Sequence, residues 1–548
     1  MTIRKNIRGG LYLALFFLCA AALQWHAGAF RAEFGSDPDE PAHYVTGLLF
    51  RDYVAAGFPG APLQYARNYY LHYPKVAIGH WPPLFYLLQA AWTLIFTPSR
   101  ISVMLFLAAL TAAVGWFTWS ILRARFSPGV SVGAVLILLS LPAFQEYSHD
   151  VMAEMLMALL VLLAVIAYGS YIDSGRWQAA AWFGIWSALA LLTKGSGIQL
   201  AFIPPLTLAI TGRWRLLRRF SFWLPAGIVL VLALPWYAYV PDAQHESVAR
   251  FGGVAVEYSR FTESIALWGE FLGLIPSLAA LAGVAVVIAA IRKGTIQGVW
   301  IALLAALLGA YTTRLFLGAF EARHLVVSLP LLLIFAAAGW DRIFDRDLLR
   351  RWRSGGTSRI VAAAVAAVAV AGLIGFNISR SHAKTHFGYG EVAQELLAQQ
   401  RFRSSVLLVC SDSTGEGMLI SETAMHEQRP GHIILRASKM LASSDWMGYD
   451  YRPLFDDPEQ QLRLVEAIPA GVIVIDDAGR NTPHGRLLYQ GIISHPEKWQ
   501  RVDLPAGINS DESPAANILV YELRGQERMP AGKIKIPMRF KGYGDMGN

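Results

Sequence analysis

The chain runs again and again for roughly twenty residues without a charge, the length of a membrane-spanning helix, and that sets its fold class. The runs are Gly9–Phe30, Trp81–Ser99, Ile101–Leu122, Ser127–Phe144, Met155–Ile172, Trp177–Thr193, Gly195–Gly212, Phe220–Pro241, Phe271–Ile291, Gly294–Thr313, Leu325–Trp340 and Ile360–Ser379. Peptide groups in lipid must pair internally, so each run reads as helix. Composition agrees: 55% of the 548 residues are hydrophobic and only 16% are charged, whereas soluble domains are typically near one quarter charged. Disorder, collagen and a small disulfide scaffold are excluded. The reading is an integral, polytopic membrane protein.

The net charge is +8 and the pI about 9.3. The excess Arg lies in short loops beside apolar runs, which points to topology rather than to a nucleic-acid partner. Arg4, Lys5 and Arg8 place the N-terminus in the cytoplasm, and Arg31–His80 then forms an outer loop. Arg123/Arg125, Arg213/Arg215/Arg218/Arg219, Arg292/Lys293 and the cluster Arg342–Arg353 belong inside. Passing from His80 to Arg123 takes an odd number of crossings, but two runs lie between them. Trp81–Ser99 opens with Pro82-Pro83, so it is expected to be a re-entrant or interfacial helix. That leaves about 11 transmembrane helices and an outer C-terminus. The first run could pass for a signal peptide, but it is long and lacks a clear small-residue cleavage site, so it reads as a retained helix.

Residues 1–380 therefore read as the membrane domain. Residues 381–548 are polar and read as an extracytoplasmic α/β domain, with strand-like runs Ser405–Ser411, His432–Leu435, Gly471–Asp476 and Asn517–Leu523. Cys19 and Cys410 lie in different regions, with no metal-type spacing and no expected disulfide. DSTGEGML, after the first of these strands, lacks the lysine of a phosphate loop and reads as a plain strand–turn–helix.

The topology also sorts the polar residues. Asp37, Asp39 and Glu40 lie in the outer sequence GSDPDEPAHY; Glu146, His149, Asp150 and Glu154 lie in QEYSHDVMAEM. Lys194 in LTKGSG, Glu321, Arg323 and His324 in FEARHLVV, and His80 in HWPP fall on the same face. Singly, such residues could snorkel to the interface. Together they describe an outward-facing site with carboxylates for acid–base chemistry and cations for an anionic group.

DEPAHY followed by HWPPLFYLL resembles the first outer loop of the GT-C glycosyltransferases, which use lipid-linked sugars, in particular their protein O-mannosyltransferase and aminoarabinose-transferase branches. AEMLMALLVLLA is similar to the family's second acidic position, matched by Glu154 with Asp150 as rival. LTKGSG resembles its Thr-Lys-Gly turn, and ARHLVVSLPLL its late Arg-Tyr-Leu helix, with His324 replacing the aromatic. The resemblance covers roughly residues 9–340. It implies a sugar on a polyprenyl phosphate as donor and transfer to a hydroxyl of a lipid, glycan or protein acceptor of the envelope, with inversion. It further implies Asp39 as catalytic base and Glu40 as a catalytic partner orienting Asp39 or the acceptor. Tyr44, His80, Asp150, Glu154, Lys194 and Arg323 are then substrate-binding, with Lys194 and Arg323 on the phosphate.

Asp37-Pro38-Asp39 has the spacing of a metal-binding Asp-x-Asp, yet Pro38 and the adjacent Glu40 favour the metal-independent branch, so no cofactor is expected. A transporter or flippase without transferase activity is the alternative. It predicts inverted repeats and mid-helix polar residues, neither of which is present in the sequence. A scaffold presenting the outer domain would leave the acidic pairs unexplained. The expected location is a bacterial inner membrane, with the site and the C-terminal domain in the periplasm.

Overall fold

The structure, a computed structural model, describes residues 2–239, 259–316, 322–343, 356–444, 450–468, 470–505 and 514–525. Glu321, most of the Arg342–Arg353 cluster and residues 526–548 lie outside these. The protein is mainly helical. Among the described residues, six helices are long and apolar enough to cross a bilayer: Gly9–His26 within α1 (Thr2–His26), α5 (Arg100–Arg123), α8 (Glu154–Ser174), Leu274–Arg292, Gly298–Leu315 and Arg323–Asp341. A seventh is broken, because α6 (Pro128–Ser140) and α7 (Pro142–His149) meet at 68°.

The other apolar runs fold as shorter or interrupted helices, and prolines lie at or near the breaks. Pro82 and Pro83 precede α4 (Leu84–Ile95), whose 12 residues are too few to span. After α9 (Trp177–Leu191), Gly195–Phe202 is a 3-10 helix continued by α10 (Ile203–Thr211), which carries Pro204 and Pro205 in its first turn. Pro225 lies inside α11 (Phe220–Leu232). A proline lacks the N–H and crowds the preceding turn, so a straight helix does not continue through it. The last apolar run lies within a continuous helix, Gly356–Arg380. Leu274–Arg292 and Leu329–Ile343 cross at very close range: a Cβ on Gly283 would lie 1.8 Å from Phe335 O, and one on Gly339 would lie 1.9 Å from Ala279 O.

The stretch 31–80 is more ordered than the loop expected from sequence. It forms α2 (Asp39–Ala55) and α3 (Pro62–His72). α2 opens with Asp39 and Glu40, favourable at the positive end of a helix, and buries Tyr44, Val45, Leu48 and Leu49.

The C-terminal region is a five-stranded sheet in the order β2-β1-β5-β7-β6. Its strands are β1 (Val406–Cys410), β2 (Ile434–Arg436), β5 (Ala470–Ile475), β6 (Trp499–Arg501) and β7 (Leu519–Leu523), with β3 (Ala442–Ser443) and β4 (Arg452–Pro453) forming a separate pair. β2, β1 and β5 run parallel, and β7 is antiparallel to β5 and β6. Alternation splits the sheet between two cores. Leu407, Val409, Val472 and Val474 join the core of the membrane part, whereas Leu408, Ile473 and Ile475 pack with Leu462 and Leu488 on the other side.

The helix Ser413–His426 lies between β1 and α2, and Tyr389–Ala398 packs beside it. A Cβ on Gly417 would lie 2.5 Å from Pro41 Cγ, so this region packs directly against the DPDEP segment. Polar clamps reinforce the junction. Arg429 Nε donates to Asp52 Oδ2 at 2.7 Å, and Tyr73 Oη donates to Glu427 Oε1 at 2.6 Å. Glu33 accepts from the amides of Phe387, Gly388 and Gly390 at 2.9–3.1 Å.

Candidate active site

Asp37 and Asp39 flank Pro38 in the turn into α2. Asp37 Oδ1 accepts from Asp39 N at 2.8 Å, a local turn that frees the Asp39 carboxylate from any capping role. That carboxylate instead meets Arg323. One guanidinium straddles both acids, with Nη1 3.3 Å from Asp37 Oδ2 and Nη2 3.2 Å from Asp39 Oδ2. Arg323 sits on the 3-10 turn Ala322–Ser328, just before the helix Leu329–Ile343. Asp37 and Asp39 remain 34% and 27% exposed, so this pair is open to solvent.

A second ion pair joins it. Lys194, at the start of the 3-10 helix Gly195–Phe202, donates to Oε1 of Glu154, the first residue of α8. Glu154 is buried, and its Oε2 has no hydrogen-bond partner among the described residues. A buried carboxylate oxygen without a donor is costly, and a ligand hydroxyl would satisfy it. Leu84 N donates to Leu192 O at 2.9 Å, fixing the HWPP segment against the Lys194 turn.

His43 lies between the two pairs. It is four residues after Asp39 and so on the same face of α2. Its ring stacks on Trp81 at 4.1 Å, and Nδ1 lies 2.7 Å from Tyr86 Oη. Burial pushes it down to about 3, against the charges of Asp39 and Glu154, so the ring is neutral. Burial also lowers His80, which lies within the field of Asp39. The two aspartates are driven apart. Burial and the Asp39 charge raise Asp37, while Asp39 is held below the usual range because, against burial, the charges of Arg323 and Lys75 and the hydrogen bond from Arg323 favour its ionised form. Asp39 is thus the more readily ionised of the two.

Asp150 and Tyr44, expected to bind substrate, and Glu40, expected to orient Asp39 or the acceptor, are all buried. Glu40 is fully buried: Oε2 accepts from Ser36 N, and Oε1 accepts from Val151 N and Lys384 Nζ, at 2.5–3.1 Å. Asp150 is also buried and shares Lys384 Nζ at 3.1 Å. These three form a closed network behind Asp39. The Tyr44 side chain is buried in the core and donates to Pro98 O at 2.5 Å. It lies five positions after Asp39, which turns it well away from that face of α2.

Four polar residues went unidentified in the sequence. Asp37 was read as part of an acidic run and as half of a metal-type Asp-x-Asp spacing, with no role of its own. His43 could have been found by its i+4 spacing from Asp39. Lys384 lies beyond the last membrane helix, with no local signal. Lys75 is buried, donates to Pro38 O at 3.0 Å and to Ser413 Oγ at 3.2 Å, and burial lowers it to about 7. Among the described residues, the one group spaced to hold a metal ion is Glu33, His386 and Glu391, away from Asp39. Glu33 is already committed there to backbone amides.

Comparison with known proteins places the fold. Residues 80–239 match the dolichyl-phosphate-mannose-protein mannosyltransferase family, a stretch that contains His80, Glu154 and Lys194 but neither Asp39 nor Arg323. No curated protein matches the sequence. The crystal structure of ArnT from Cupriavidus metallidurans bound to undecaprenyl phosphate is similar, with a TM-score of 0.59 at 12% identity, over 93% of this chain and 97% of that one. The archaeal oligosaccharyltransferase AglB from Archaeoglobus fulgidus, in complex with an inhibitory peptide and a dolichol-phosphate, gives a TM-score of 0.54 at 13% identity, over 86% of this chain and 70% of that one. The chain therefore has the multi-pass membrane fold of the GT-C glycosyltransferases that use lipid-phosphate sugar donors, with a mannosyltransferase-type segment between residues 80 and 239.

Proposed function

We propose that the protein transfers a sugar from a polyprenyl phosphate to a hydroxyl of an envelope lipid, glycan or protein, with inversion at the anomeric carbon. The observation that carries this reading is Arg323 straddling Asp37 and Asp39. That guanidinium is a planar fork able to take a phosphate, and the carboxylate it holds is an ionised base. When the donor phosphate arrives it competes for Arg323. Asp39 then loses its counter-ion, its affinity for a proton rises, and it accepts the acceptor's hydroxyl proton as the new bond forms. The bond from the anomeric carbon to the phosphate oxygen breaks, and polyprenyl phosphate leaves with its charge neutralised by Arg323 and Lys194.

Glu154 Oε2 receives a sugar or acceptor hydroxyl, and His80 adds a donor. Glu40 and Asp150 act through Lys384 as positioning groups. A phosphate monoester leaves without a strong acid, and the two cations carry the charge a metal would otherwise hold, so the reaction is metal-independent. The Arg-rich loops set the site and the C-terminal sheet on the periplasmic side of an inner membrane, with about 11 crossings. The test is transfer of radiolabel from a polyprenyl-phosphate sugar to membrane acceptors by the purified protein. A transporter would move the lipid and leave its label in place.

A further inference from the structure

A second polar site lies at the other end of α8. The helix has 21 residues, so Glu154 and Ser174 are about 30 Å apart, one hydrocarbon thickness. There, a cavity of about 480 Å³ is lined by Tyr171, Asp173, Gly175, Arg213, Arg215 and Arg219 among others. α8 and α10 both end here on left-handed glycines, Gly175 and Gly212. One arginine serves the fold: Arg213 Nη1 donates to the terminal carbonyl of Ile172 at 3.1 Å. The Arg215 and Arg219 side chains have no hydrogen-bond or ion-pair partner among the described residues. The one acid in the lining, Asp173, is engaged through Oδ1 by Gly298 N at 2.7 Å. Trp214, Phe220 and Trp223 are exposed beside the cavity, as aromatic residues are at the headgroup level of a bilayer.

We propose that this cavity binds the phosphate of an anionic phospholipid headgroup, in the leaflet opposite the Asp39 site. Two unpaired forks beside a cavity suit a phosphate ester, and the flanking tryptophans set it at the depth where lipid phosphates lie. A basic pocket between membrane helices is a recognised form of such a site. The proposal is independent of the transferase reading, since nothing in it involves Asp39.

The test uses the full-length protein in nanodiscs containing phosphatidylglycerol and phosphatidylcholine, with co-purified lipid counted by native mass spectrometry. Wild type should retain phosphatidylglycerol, and the double variant Arg215→Gln, Arg219→Gln should lose it at least ten-fold. The control pair Arg176→Gln, Arg218→Gln removes the same charge from outside the lining and should retain it. Equal retention in all three proteins overturns the site, and equal loss in both double variants reduces it to general interfacial charge. Should the first pair fail to fold, Arg219→Gln alone should show a several-fold loss, and unchanged retention overturns the proposal. In a competition arm, millimolar glycerol phosphate should leave the lipid bound. Displacement by it would make a soluble phosphate ester the ligand and overturn the lipid assignment.

Discussion

Lys384 Nζ lies 2.5 Å from Glu40 Oε1 and 3.1 Å from Asp150 Oδ1, and so ties the segment after the last membrane helix to the residue next to Asp39. Its backbone N also donates to Ala27 O at 2.8 Å. One buried lysine thus fixes the end of α1 through its backbone, and the start of α2 and the turn before α8 through its ammonium.

Replacing Lys384 by Met leaves two carboxylates buried side by side. Breaking a buried ion pair from one side typically costs about 3–5 kcal/mol. Lys384→Met should lower the thermal midpoint in detergent markedly, and adding Glu40→Gln should restore part of the loss by removing one uncompensated charge. A midpoint unchanged by Lys384→Met would contradict the network. Glu40→Gln alone, which keeps one acceptor oxygen for either Ser36 N or Val151 N, should retain measurable transfer.

Arg323→Ala and Lys194→Ala should each weaken polyprenyl-phosphate binding by about 1–3 kcal/mol, the range for hydrogen bonds to a charged group. Lys194→Ala should also destabilise the fold, because it strands Glu154. Equilibrium binding of the lipid phosphate and a thermal melt separate the two effects. Both variants binding as wild type would remove these residues from the phosphate site.

His386 links Glu33 and Glu391, with Nδ1 and Nε2 at 2.9 and 2.8 Å. Although burial opposes it, the two carboxylates raise this histidine above its usual 6.5. Its contribution to stability is therefore complete below pH 6.5 and is lost as pH rises through the raised value. Glu33 is held below 4.5, against burial, by the amides of Phe387 and Gly390, so its contribution is complete above pH 4.5 and is lost as pH falls through the lowered value. The midpoint difference between wild type and His386→Asn should be largest between pH 4.5 and 6.5 and should shrink toward pH 9. A difference independent of pH would show that the ion pairs contribute nothing.

Transfer should persist in excess chelator, because Arg323 and Lys194 supply the positive charge. Loss of turnover on chelation, restored by a divalent ion, would make Asp37 and Asp39 metal ligands instead.

The sequence carried the class of the fold because apolar length and Arg placement are local signals. It carried Lys194, Glu154 and Arg323 as candidates because each stands at the end of an apolar run, and Asp39 because it lies in an acidic loop between two such runs; the structure joins them in two neighbouring ion pairs. It failed where the decisive partner was distant. Nothing near Glu40 announces that Lys384, 344 residues later, will bury and neutralise it. Tyr44 is identical in type to a binding aromatic, and its helical phase, visible in the sequence, is what assigns it to the core. Helix breaks at Leu141 and Ile203 follow from neighbouring prolines, but how far they bend is set by packing.

The central claim is that Asp39 is the base, and Asp39→Asn tests it most directly. The amide oxygen still accepts from Arg323, and Asp39 makes no capping bond that the change could break. It cannot take the acceptor's proton, and losing a general base typically costs 10²–10⁴-fold. Single-turnover transfer from a radiolabelled polyprenyl-phosphate sugar should therefore fall by at least a hundred-fold, while the thermal midpoint and polyprenyl-phosphate binding stay close to wild type. Wild-type transfer by this variant would contradict the account and place the base elsewhere, with Asp37 and Glu154 the next carboxylates to test.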